Sequence, residues 1–170
     1  GGELFPIIRT LLCLTAYESD PAAFTREHPN MHVHFSPHLE PQAPPSDRPL
    51  EFAPPSLQTM FAFCAGIRAQ MAETARRPLM IAVDIFDGKS VANAAFLLSA
   101  FLMLECGYTA EEAVLPFEQV VPMPYVDYSL GITVFDVVRG LGKAIAKGWV
   151  TRAAPVQSAA VCRPCPEFAF

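Results

Sequence analysis

Residues 79–98 read LMIAVDIFDGKSVANAAFLL, and the reading of this stretch decides the fold. Leu79 to Val83 form a continuous apolar run, the composition of a strand covered on both faces in a parallel sheet. From about Ser90 to Glu105 the chain is apolar nearly all round, the pattern of a helix lying in the middle of a domain. A tight loop with Asp84, Asp87, Gly88 and Lys89 joins the two. Many α/β proteins keep an anion or nucleophile site at such a strand-to-helix turn. This loop holds no nucleophile.

Upstream, Leu11 to Ala16 and Met31 to Phe35 read as short strands, the second with His32 and His34 on one face and Val33 on the other. Residues 36–55 contain seven prolines, which cannot donate backbone hydrogen bonds, and this predicts a long surface loop. Ser56 then caps a helix to about Thr74, with Leu57, Met60, Phe61, Cys64, Ile67 and Met71 as its apolar side. Downstream, Thr109 and Glu112 form a capping box for a short helix that ends before Pro116. Leu130 to Lys147 read as an amphipathic helix with Leu130, Val134, Val137, Val138, Leu141 and Ile145 inward and Asp136, Arg139, Lys143 and Lys147 outward, and Trp149 is expected to cover the edge of the core. Three strands interleaved with four helices predict an α/β domain with a short, mostly parallel sheet flanked by helices.

The chain has 170 residues, enough for one sizeable core, and its 52% hydrophobic and 17% charged composition excludes the disordered class. A net charge of -5 with only Arg76 and Arg77 adjacent argues against nucleic-acid binding. The longest apolar run, Val91 to Leu104, has 14 residues and is too short to cross a bilayer, so no membrane partner is expected. Five cysteines, an odd number without framework spacing, read as reduced thiols of an intracellular protein of the cytoplasm or nucleus. A mean hydropathy of +0.29 is high for a free-standing domain and points to an apolar face made for another domain or subunit.

Thiolate-based phosphoryl transfer needs a cysteine at the strand end and, six residues on, an arginine whose planar fork grips phosphate. Six residues beyond Cys13, Cys64, Cys106 and Cys162 stand Ser19, Gln70, Glu112 and Phe168, and Cys165 runs off the chain. The run from Val83 to Ser90 ends in GKS like a nucleotide phosphate loop, but Val83 replaces the first glycine and two aspartates oppose a triphosphate. The bland alternative is a turn closed by Gly88 with a helix capped by Ser90. His28, His32, His34 and His38 are weighed as zinc ligands against partly exposed histidines at a sheet edge, and no metal or cofactor is expected. Cys162 and Cys165 have the spacing of a redox pair, set in a Pro- and Ala-rich tail rather than at a helix start.

The runs ANAAFLLSAFLML (92–104), TAEEA (109–113), PYVDYSLG (124–131) and TVFDVVRGLGKAIAKGW (133–149) resemble the N-terminal half domain of the mitotic-exit dual-specificity phosphatases, the cell-division-cycle-fourteen type. HVHFSP (32–37), PPSLQTMFAFC (54–64) and Phe86-Asp87 fit more loosely. The resemblance implies a dual-specificity-phosphatase-like domain over residues 3–150, with 151–170 as tail or linker, that lacks the catalytic Cys and Arg. In that family a second, catalytic half lies alongside and the N-terminal half helps shape the substrate groove. The resemblance places Val83 where a nucleophile would stand and Lys89 where the arginine would stand. Lys89 keeps a charge without the planar fork, and Asp84 and Asp87 repel a dianion that the helix N-terminus attracts by only about 1 kcal/mol. Val83, Asp84, Asp87, Gly88, Lys89 and Ser90 are thus the positions of a degenerate phosphate loop. Asp127, and Glu118 just upstream, are the candidate groove acids, with exposed loop carboxylates as the alternative.

The expected role is a non-catalytic domain that docks on a catalytic phosphatase domain, in cis or in trans, and helps recognise a phosphoprotein substrate. The parent protein would then be a dual-specificity phosphatase although this chain alone is inactive. The alternatives are a stand-alone pseudophosphatase scaffold, a degenerate nucleotide-binding loop protein and a CxxC redox domain.

Overall fold

In a computed structural model of the chain, the apolar run beginning at Leu79 becomes the strand around which the sheet is built. The structure describes residues 4–8, 11–17, 20–36, 39, 54–74, 77–84, 88–118 and 132–151. Its strands are β1 (Leu4–Ile8), β2 (Leu12–Tyr17), β3 (His32–His34) and β4 (Leu79–Asp84). Its helices are α1 (Pro21–Glu27), α2 (Leu57–Glu73), α3 (Gly88–Glu105), α4 (Ala110–Val114) and α5 (Val134–Ala146), with a 3-10 turn at Leu115–Phe117. The sheet order is β1-β2-β4-β3, in which β2 and β3 both run parallel to β4 and β1 is antiparallel to β2. This is a small mixed sheet flanked by helices, as the α/β pattern predicts.

Alternation along the central strands divides the core. Leu12, Leu14, Leu79, Ile81 and Val83 join the large cluster under α2, α3, α4 and α5, whereas Cys13, Met80 and Ala82 meet Phe24 of α1 on the opposite face. Nearly every residue of α3 from Ala92 to Leu104 is buried, which explains why it carries no polar stripe. Its two buried polar side chains in this stretch are both satisfied. Ser99 Oγ donates to the Ala113 carbonyl at 3.0 Å, and Asn93 Nδ2 donates to the Leu39 carbonyl at 3.0 Å. The second bond pins the start of the proline-rich segment, where Leu39 is buried, onto α3.

Several expectations shift. The sequence pattern predicts neither β1 nor α1. β1 carries Pro6, which lacks the N–H a central strand would use, and it takes an edge position with a register irregularity between Pro6 and Ile8. α1 is only seven residues long, with Asp20 accepting from the Ala23 N–H and Pro21 at its first position. On α2, capped by Ser56 and ending at Thr74 as expected, Leu57 and Phe61 are not buried; Phe63 takes their place in the core. α3 starts at Gly88 rather than Ser90, so Ser90 is a buried residue of the first turn and not the cap. α5 starts at Val134, because Thr133 accepts from the Asp136 N–H while Asp136 accepts from the Thr133 N–H, a second capping box. Leu130 lies outside the described residues. Trp149 does not cover the core: it is 80% exposed, and Val150 is the buried residue. Gly148, at φ +72°, closes α5 by sending its own N–H to Ile145 and that of Trp149 to Ala144, which turns the indole outward.

Candidate functional site

The helix after β2 leaves to one face of the sheet and the helix after β4 leaves to the other, so these adjacent parallel strands end at a topological switch point, the place where α/β sheets form their crevice. Tyr17 and Asp84, the last residues of the two strands, are direct neighbours across it. Val83 is buried, 3% exposed, within the α3 side of the core. Asp84 follows and is exposed, as are Gly88 and Lys89 at the start of α3, and the next residue, Ser90, turns back into the core. The sequence-predicted loop positions Val83, Asp84, Gly88, Lys89 and Ser90 are therefore gathered at the carboxyl end of the central strand and the amino end of the buried helix. Asp87 lies outside the described residues.

The far wall is aromatic. The Tyr17 ring meets Phe35 edge-on at 5.3 Å between centroids and Phe24 at 5.7 Å, so the α1 side of the crevice is lined by packed aromatic rings. On α3, the Asn93 to Leu39 bond holds Leu39 against the helix one turn beyond Lys89. Sequence reasoning misses the contact between Asn93 and Leu39. The available signal is a lone asparagine inside an otherwise apolar helix.

Thiol chemistry is remote from the crevice. Cys13 lies opposite Met80, four residues before the end of β4, with its Sγ directed to the Leu79 carbonyl at 3.8 Å. Burial pushes its thiol up to about 11. Burial, and then the Glu105 carboxylate, push that of Cys64 up to about 12. Both shifts run opposite to the activation a nucleophilic thiolate requires. Cys106 is also buried. Cys162 and Cys165 lie outside the described residues.

Residues 44–144 match the family described as dual specificity protein phosphatase, N-terminal half. The chain belongs to this family. Among curated proteins none matches the chain. The α/β architecture of this phosphatase N-terminal half, with its strand-loop-helix at the sheet's crevice, is compatible with a dual-specificity-phosphatase-like domain.

The other candidates within the half domain are scattered. Glu118 follows the 3-10 turn, which packs beside β1, and its exposed carboxylate makes no hydrogen bond or ion pair with a described residue. Asp127 and His38 lie outside the described residues. His32 and His34 are on the same side of β3, as the alternation predicts, but His32 Nε2 is engaged by Gln70 Oε1 of α2 at 2.7 Å, and His28 Nδ1 by the Phe24 carbonyl at 3.0 Å. Among the described residues no three His, Cys, Asp or Glu side chains converge as metal ligands. No helix among them is long and apolar enough to cross a membrane.

Proposed function

We propose that this half domain is a non-catalytic, phosphatase-like module, of the mitotic-exit type, that docks on a catalytic phosphatase domain and helps position a phosphoprotein substrate. The observation that carries the reading is the turn from β4 to α3. It has the strand-loop-helix order of a phosphate cradle, yet Val83 stands at the nucleophile position and Lys89 at the arginine position of the resemblance. Val83 offers no reacting atom, and nowhere does the sequence place an arginine six residues after a cysteine. Family membership supports the phosphatase context. The crevice supports the positioning role, since exposed Asp84 ends β4 and exposed Lys89 lies in the first turn of α3 at its rim.

A two-substrate comparison tests this. Alone, the chain is expected to hydrolyse neither an aryl phosphate nor a phosphoserine peptide. Added to the catalytic half of a dual-specificity phosphatase, it raises kcat/KM for a phosphoprotein while leaving aryl phosphate turnover unchanged, because it acts on positioning and not on the chemical step. Aryl phosphate hydrolysis by the chain that one substitution abolishes would overturn the non-catalytic reading. An unchanged kcat/KM for phosphoprotein, with the two domains shown to bind, would overturn the positioning role.

A further inference from the structure

Strand β3 is an outermost strand of the sheet, paired with β4 on one side and with no described residue on the other. The His32 N–H donates to the Pro78 carbonyl at 2.9 Å, and this bond fixes which backbone groups face inward. In a parallel pair a residue turns its N–H and C=O to the same side and its neighbours turn theirs away, so His32 and His34 point at β4 and Val33 points outward. Met31, Val33 and Phe35 all pack against the smaller cluster around Phe24, so the alternation extends from 31 to 35. The outer edge therefore offers the Met31 carbonyl, both backbone groups of Val33 and the Phe35 N–H. Every residue of β3 is half-buried, whereas β4 is buried from Leu79 to Val83. Sheet edges are ordinarily guarded by a proline, a charge or a bulge. β1, at the opposite edge, has Pro6 and a register irregularity beside it. β3 has neither between Met31 and Phe35, and the sequence from His28 to Pro37, HPNMHVHFSP, contains no Lys, Arg, Asp or Glu.

We propose that the open edge of β3 receives an extended segment of a partner protein, which adds to the sheet as a fifth strand. The two faces of the edge set the chemistry of the occupant. On one face its side chains lie beside Met31, Val33 and Phe35, where an apolar residue extends the smaller cluster and a charge would be desolvated. On the other they lie beside His32 and His34, where polar residues fit. The segment is thus short, with apolar and polar residues alternating. A second copy of the chain suits the edge less well. Pairing one β3 with another buries only a few residues on each side, far from the roughly 800 Å² per partner of a standard interface. Strand addition by a peptide instead draws affinity from main-chain hydrogen bonds and specificity from alternate side chains. The brevity of β3 limits those bonds, which makes the contact weak and reversible. The edge also leads to the crevice, because Phe35, just after β3, is the ring that meets Tyr17 there. Strand addition itself does not rest on the phosphatase reading.

The test uses the full chain, isotope-labelled for NMR. The probe is a blocked peptide of alternating threonine and valine flanked by lysines, together with a copy of it N-methylated at every backbone amide. The unmethylated peptide is expected to shift the amide signals of Val33 and Phe35 saturably and to protect the Val33 N–H from hydrogen exchange. The methylated copy, which keeps the side chains and loses the donors, shifts neither. Val33→Pro removes the outward N–H at an edge position that tolerates proline, and it is expected to lower the affinity about tenfold with circular dichroism unchanged. Where Val33→Pro does not fold, the methylated peptide decides on the parent chain. Absence of saturable shifts, equal binding of the methylated copy, undiminished binding to a natively folded Val33→Pro, or shifts centred on β1 would each overturn the proposal. So would protection of the Val33 N–H that grows with chain concentration before any peptide is added, since the edge would then belong to a second copy.

Discussion

Asn93 is 3% exposed inside a helix whose other buried residues are almost all apolar, and its amide donates to the Leu39 carbonyl. A buried amide with a partner contributes modestly, but the carbonyl left behind when that partner is deleted bears its full desolvation cost, about 1–3 kcal/mol. Asn93→Leu is therefore expected to lower the unfolding free energy by that amount in urea titration, and to raise the proteolytic sensitivity of the segment after β3, which the bond pins across α3. Equal protease sensitivity in the two proteins would show that the bond does not restrain that segment. The same residue marks a limit of sequence reading. Val83, Asp84 and Lys89 are legible because they sit within one continuous strand-loop-helix pattern. The Asn93 to Leu39 pair spans 54 positions, and its acceptor is a backbone carbonyl in a proline-rich segment, so no local spacing announces it.

At the scale of elements, the ends of helices are legible where a side chain caps them and the flanking pattern agrees. Ser56 and the Thr109 to Glu112 box mark α2 and α4 correctly. The same chemistry at Thr133 and Asp136 is hidden by an apolar run upstream that extends the apparent helix to Leu130. The signal Asp20-Pro21 is easily missed because α1 is too short for a periodic pattern, and β1 because Pro6 argues against a strand anywhere except at an edge. Capping also sets a pH dependence. Asp136 is held below the usual carboxylate range, first by the Thr133 hydroxyl and then by the Thr133 N–H. A carboxyl whose folded pKa is depressed stabilises the fold above its unfolded pKa and loses that contribution as pH falls through the folded value. Thr133→Ala should cost about 1 kcal/mol at neutral pH, and the difference in Tm from the parent should shrink as the pH is lowered below the ordinary aspartate range. A difference constant from neutral to acid pH would mean that the hydroxyl acts without the carboxylate.

Among the described residues the two faces of the sheet are unequally covered, and this follows from connectivity rather than composition. β3 lies at the far edge beside β4, so the chain leaving β2 must cross one face, and the chain returning from β3 to β4 must cross the other. The first crossing is α1, with Phe24 as its only buried residue; the second begins a layer of four helices. Among the described residues, Phe24 thus joins Cys13, Met80 and Ala82 in the smaller core, with Tyr17, Met31, Val33 and Phe35 around it. Removing a buried phenylalanine costs about 3–5 kcal/mol when its surroundings do not collapse. Phe24→Ala should fall in that range by denaturant unfolding, and its effect should be uneven. Segments with few buried contacts open locally at lower free energy than the core. In hydrogen exchange, α1 and β3 are expected to lose protection in Phe24→Ala by more than the global destabilisation accounts for, whereas α3, enclosed by the other helices, should follow the global change alone. A uniform loss across α1, β3 and α3 would show that the two faces unfold as one unit. Because Tyr17 rests on Phe24, a local response would also loosen the aromatic wall of the crevice, tying the stability of the thin face to the geometry of the candidate site.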